Sequence, residues 1–214
     1  MVLYILSVFA LAAQAPAADV TPLRLPFTHQ ESAWIFQGTG AYDETHNPRY
    51  LDSARRVVHD ALGRIDGQRG TYPEFHGNIS YKGNVPWMCA QLSESLYKYY
   101  RQSGDVDAAI AIVGLADSIL AENRTRDVPG DVWGYSSDPH LGKSGLSTYI
   151  LIAPTVFYAY ELTGDAYYLA HARAMYKLMI QNKELNSFRE CYWLAPTLLY
   201  YLQQDGLEDA RDGK

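Results

Sequence analysis

The chain has 214 residues, 48% of them hydrophobic, enough to bury one sizeable core and too few to favour two domains. Its formal net charge is -6, and no long Lys/Arg run offers the basic footprint that neutralises phosphates, so nucleic acid is not an expected partner. Aromatic residues make up 13%, with 18 Tyr, 6 Phe and 4 Trp, material for core packing and for flat surfaces against a ligand.

Residues 1–13 are almost wholly apolar and lead into Ala15-Pro16-Ala17-Ala18, which has the small-residue character of a secretory cleavage site. The opening Met1-Val2-Leu3-Tyr4 lacks the Lys or Arg of a signal's first segment, and the run is too short to span a bilayer. Two readings of residues 1–17 stay open: a signal peptide, placing the protein outside the cell or in the periplasm, or the first helix of a cytoplasmic protein. Neither gives stable membrane insertion, and residues 18–214 form the domain.

Comparing the chain with itself reveals a repeat. The run Tyr42-Asp43-Glu44-Thr45-His46-Asn47-Pro48-Arg49-Tyr50-Leu51-Asp52-Ser53-Ala54-Arg55 aligns without a gap to the run that starts at Tyr160 and ends at Arg173. Tyr100-Arg101-Gln102-Ser103-Gly104-Asp105 opens a looser third copy. In each, an aromatic helix end meets a tight polar turn, after which Asn47, Asp105 or Asp165 caps the next helix. The pattern predicts helices over 30–42, 48–64, 87–103, 105–122, 146–163, 165–182 and 188–204, with an eighth before residue 14 if the apolar first residues stay in the domain. Ile152-Ala153-Pro154-Thr155 matches Leu194-Ala195-Pro196-Thr197, placing a proline and an expected kink at similar depth in two successive helices.

The helices at 146–163 and 188–204 are apolar on nearly every side and are expected inside. Those at 48–64, 105–122 and 165–182 carry charges such as Arg55, Asp60, Asp107, Asp117, Arg173 and Lys177 and are expected outside. Antiparallel hairpins in two layers make an all-α fold of toroid or solenoid type. The pattern Tyr-x-x-Thr-Gly-Asp-x-x-Tyr-Leu-x-x-Ala at Tyr160 to Ala172 resembles the hairpin turns of the six-hairpin, α/α-toroid superfamily of glycoside hydrolases and polysaccharide lyases. The resemblance covers about three hairpins, whereas a full toroid has about twelve helices. It implies a partial ring, or a fragment of a longer protein with a companion domain, and a carbohydrate ligand.

With the short turns at one end of the hairpins, the segments 66–86 and 123–145 fall at the other. They are long and rich in Gly and Pro, and too aromatic for linkers. Trp34, Trp87, Trp133 and Trp193 map to that end, and with Tyr135 and Arg189 they make a candidate sugar-binding set. Glu74 and Asp131 are the carboxylate pair a hydrolase would need. His76, Tyr81 or His140 would serve as the base of a lyase, with Lys82 or Arg189 neutralising a uronate. The alternative is a non-catalytic glycan-binding or scaffold domain, or a helical-repeat protein that binds a peptide. No metal-ligand pattern appears, and Gly142-Lys143-Ser144 follows Ser137 where a phosphate loop would have glycine, so neither a metal nor another cofactor is expected. Cys89 and Cys191 are read as buried thiols rather than a bridge.

Overall fold

The computed structural model describes residues 28–63, 86–122 and 149–181. Among them are six helices and no strand: α1 (Thr28–Thr45), α2 (Pro48–Leu62), α3 (Pro86–Ser103), α4 (Val106–Glu122), α5 (Tyr149–Thr163) and α6 (Ala166–Gln181). The helices predicted before residue 14 and at 188–204 lie outside the described residues, as does Pro196.

One hydrogen-bond scheme makes all three short turns. The last helical Thr or Ser turns its hydroxyl back on the carbonyl four residues earlier: Thr45 on Ala41 at 2.6 Å, Ser103 on Tyr99 at 2.8 Å, Thr163 on Ala159 at 2.7 Å. The same oxygen accepts the N–H of Asn47, Asp105 or Asp165 at 3.1–3.2 Å. Between them sits a residue in the left-handed region, His46 (φ 51°), Gly104 (φ 69°) or Gly164 (φ 71°). Its N–H bonds back to the carbonyl of Tyr42, Tyr100 or Tyr160 at 2.7–2.8 Å, closing the helix end as a left-handed C-terminal residue does. The Asn or Asp Oδ1 then accepts the N–H two residues on, from Arg49, Asp107 or Tyr167, and so caps the following helix.

These turns create hairpins α1/α2, α3/α4 and α5/α6. The first helix of each forms an inner row in which α1 packs on α3 and α3 on α5; α2, α4 and α6 lie outside, each on its own hairpin partner. In α2 the buried face is Ala54, Val57, Val58 and Ala61, a 3.6-residue period with Arg55, Arg56, His59 and Asp60 left exposed. At Gly38 in α1 a Cβ would lie 3.0 Å from both Ala54 Cβ and Tyr50 O, so the first hairpin closes more tightly than any side chain allows. Residues 152–159 of α5 are buried on every side, as the apolar sequence implies, and Pro154 sits within the helix without ending it. The solvated face of outer helix α4 holds Val106 and Ile110, 65% and 64% exposed, beside the expected Asp107 and Asp117. Cys89 is a buried thiol.

Among the described residues no helix is long and apolar enough to cross a membrane. The left-handed position yields a stability prediction. Gly164→Ala should lower unfolding stability by about 1 kcal/mol and His46→Gly should raise it by a similar amount, because only a residue with a Cβ is strained there. Urea titrations of the two variants check this by displacements of opposite sign.

Candidate functional site

Helix α3 is the middle of the inner row, and its sides are sorted by what they touch. Cys89, Leu92, Leu96 and Tyr99 form its buried outward side, with Tyr99 donating to Asp105 Oδ2 at 3.1 Å and accepting from Arg55 of α2 at 3.3 Å. Toward α1, Ser95 Oγ lies 2.8 Å from Ser32 Oγ, Gln102 donates to Thr39 O and Asp43 Oδ1, and Lys98 pairs with Asp43 at 3.3 Å while capping the Phe36 ring. Toward α5, Tyr97 stacks on Tyr158 with ring centroids 3.9 Å apart. The remaining row, Trp87, Gln91, Glu94, Lys98 and Arg101, follows the 4-3-4-3 spacing of one helix face and lies opposite the outward side. This is the inner face of the ring.

Glu94 stands halfway along that row and is partly buried. The Tyr158 hydroxyl donates to its Oε2. Burial pushes the Glu94 carboxyl above its usual range, against the opposing pull of the Tyr158 hydrogen bond and the Lys98 charge. With Oε2 held by Tyr158, a proton on this carboxyl belongs on Oε1. Tyr158 is itself buried, and burial together with the neighbouring carboxylate keeps its phenol firmly protonated, so it acts as a fixed donor. Its stacking partner Tyr97 donates to Glu161 Oε2 at 2.7 Å, and burial first, then that bond, push its phenol up to about 12. The result is one partly buried carboxyl with a raised midpoint, clamped by a phenol, on a face that begins with an indole in the first turn of α3.

The segments 64–85 and 123–148 join outer helix ends to inner helix starts, so they attach at the Trp87 end, opposite the short turns. Of the residues singled out from sequence, Glu74, His76, Tyr81, Asp131, His140, Trp133, Tyr135, Arg189 and Trp193 lie outside the described residues. Trp87 is half-buried on the inner face. Trp34 is 46% exposed and lies about half a helical turn from the row Ser32, Phe36, Thr39 and Asp43 that meets α3. It stands two residues past Ser32, level with Ser95, so the structure does not bring the two indoles together. Glu94, Tyr97 and Tyr158 escaped the sequence reading. The signal for Glu94 was present: a lone carboxylate seven residues from both Trp87 and Arg101 in an otherwise Ser- and Tyr-rich helix. Among the described residues no three His, Cys, Asp or Glu side chains group closely enough to share a metal ion.

The two-layered row of hairpins and its inner face define the chain as an α/α toroid in partial-ring form. No family model matches the chain, and no curated protein aligns with it by sequence. Solved structures do share the fold. A cellobiose 2-epimerase from Bacillus thermoamylovorans superposes with a TM-score of 0.56 at 14% identity, over 71% of this chain and 44% of its own. An α-mannanase of glycoside hydrolase family 76 from Bacteroides thetaiotaomicron gives 0.56 at 16% identity, over 73% and 44%. A D-mannose isomerase gives 0.55 at 19% identity, over 77% and 43%. The chain thus spans less than half the length of these six-hairpin proteins.

A raised Glu94 midpoint has a fixed thermodynamic sign. The stability it contributes is complete below the unfolded carboxyl's midpoint and is lost as pH rises through the folded one. Carbon-13 NMR of the Glu94 carboxyl should therefore titrate above 4.5, its unperturbed value, and Tyr158→Phe should move it higher still. As pH rises from about 4 through the folded midpoint of Glu94, the stability of Glu94→Gln should improve relative to the native chain; a midpoint below 4.5, with the opposite trend, would refute the assignment.

Proposed function

We propose that this chain is a carbohydrate-active protein whose ligand lies on the inner face at the Trp87 end, with Glu94 as the proton-exchanging group. The observation that carries the reading is the Glu94 carboxyl. A partly buried acid with a raised midpoint, held in orientation by a hydroxyl donor, suits proton transfer to and from a ligand. Trp87 gives the apolar CH face of a sugar ring a flat partner, and Gln91, one turn along the row, offers an amide to its hydroxyls. The fold is shared by proteins named for epimerisation, mannan hydrolysis and isomerisation, reactions that all move a proton to or from a sugar. The fold alone does not choose among them.

Within that reading the long segments supply the rest of the chemistry. In a hydrolase Glu74 and Asp131 provide the carboxylates. In a lyase His76, His140 or Tyr81 removes the proton and Arg189 offsets the uronate charge, while Trp133, Tyr135 and Trp193 extend the binding surface. A second reading is a non-catalytic glycan-binding domain completed by a companion domain. It draws support from Trp87, whose half-buried indole on the inner face can hold a sugar ring without any chemistry.

The test is a panel of neutral and uronate oligosaccharides, followed for new reducing ends, for the ultraviolet absorbance of unsaturated uronates, and by NMR for epimer or ketose products. One signal is expected, and Glu94→Gln should reduce its rate by about 10²–10⁴-fold with KM little changed. Loss of that signal in Glu74→Gln and Asp131→Asn would identify a hydrolase. A signal indifferent to Glu94→Gln contradicts the catalytic role. Silence throughout, with binding that Trp87→Ala abolishes, replaces it with the binding-domain reading.

A further inference from the structure

A second feature lies at the other end of the ring. Between the C-terminal turns of α3 and α5 is a cleft of about 490 Å³, lined by Tyr97, Tyr100, Arg101, Gly104, Glu161 and Leu162. That volume is within the usual range of small-ligand sites. Neither Glu94 nor Tyr158 lines it; the stacked Tyr97 and Tyr158 rings stand between the cleft and the Glu94 carboxyl.

The polar groups of the cleft define what it can hold. Tyr97 bridges its two charged residues, donating to Glu161 Oε2 at 2.7 Å and accepting from Arg101 at 3.5 Å. The second contact is at the outer limit of a hydrogen bond, so most of the guanidinium's five donors remain for a ligand. Glu161 is exposed and keeps acceptor capacity beyond the Tyr97 bond. Two helix C-termini end here; Gly104 and Gly164 close on the Tyr100 and Tyr160 carbonyls, and the later carbonyls of each last turn carry partial negative charge. An anion at Arg101 would face Glu161 and both helix ends, while a cation at Glu161 would face Arg101. A neutral molecule with closely spaced hydroxyls satisfies both sides, accepting from Arg101 and donating to Glu161 and the carbonyls. Tyr100 and Leu162 offer apolar wall to its carbon skeleton.

We propose that this cleft is a saccharide-binding site for a neutral sugar unit, separate from the inner-face site around Trp87. The site needs no activity at Glu94 and stands whether or not the proposed function does.

The test is an NMR titration of the full chain with cellobiose and with mannobiose, following the Arg101 Nε–H and the Tyr97 and Tyr100 ring signals. Glucuronate and glucosamine serve as the anionic and cationic controls. A neutral disaccharide should shift these signals saturably and bind more tightly than either charged sugar. Arg101→Ala and Glu161→Ala, both changes at exposed side chains, should each weaken this binding by about tenfold, the effect of one strong charge-assisted contact. Trp87→Ala should leave it unchanged, which separates failure here from failure of the inner-face reading. No shift with either disaccharide, tighter binding of a charged sugar, or shifts that vanish in Trp87→Ala would overturn the proposal.

Discussion

The hydrogen-bonded turn that recurs at Asn47, Asp105 and Asp165 is the constraint on which the rest of the molecule depends. Its three parts are the Ser or Thr hydroxyl bridging the helix end, the left-handed residue, and the capping Asn or Asp. Together they reverse the chain within two residues. Because each hairpin reverses in the same way, the inner helices α1, α3 and α5 all run in one direction and the outer helices all return in the other. The long segments can then attach only at the opposite end, above the start of α3. Local turn chemistry thereby decides which end of the ring is compact and which is open to elaboration.

Tyrosine resolves a conflict that such a two-layered ring creates. Neighbouring helices must pack apolar surface, yet they also carry carboxylates beside those contacts, Glu94 and Asp105 partly buried and Asp117 and Glu161 exposed. Phenols serve both needs at several contacts. Tyr99 fills the space between α2, α3 and α4 and donates to Asp105, Tyr168 of α6 donates to Asp117 of α4, Tyr97 to Glu161, and Tyr158 to Glu94. The high tyrosine content thus marks where helices meet beside acids, and a share of it belongs to packing rather than to ligand contact. Glu94 differs from the other three acids in its surroundings: burial dominates its electrostatics, and its row opens to the inside of the ring.

Much of the fold was legible because the information is local. The matching Tyr-x-x-Thr or Tyr-x-x-Ser and Asn or Asp positions located all three turns, and the predicted ends of the six described helices fall within about three residues of the observed ones, the usual precision. The left-handed role of His46 was harder to see, since a histidine there gives none of the signal that Gly104 and Gly164 give. Asp107 and Asp117 of α4 are exposed as expected, and Val106 and Ile110 share their solvated face. Three hairpins of a known kind were visible, and with them the partial toroid. The site was less legible: Glu94 stands out along α3 as its lone carboxylate, but the hydroxyl that holds it belongs to Tyr158, 64 residues away, and no pattern along one helix reports a partner on another. Attention fell instead on the long aromatic segments, whose composition is conspicuous in one dimension.

The inner face at the Trp87 end as the sugar-binding surface is the central claim, and a crystal structure of the full chain with a bound oligosaccharide tests it most directly. The account predicts a sugar ring over the Trp87 indole with a hydroxyl or bridging oxygen within hydrogen-bond reach of Glu94 Oε1. A saccharide seated only elsewhere, with Trp87 uncovered and Glu94 without contact to it, would contradict it.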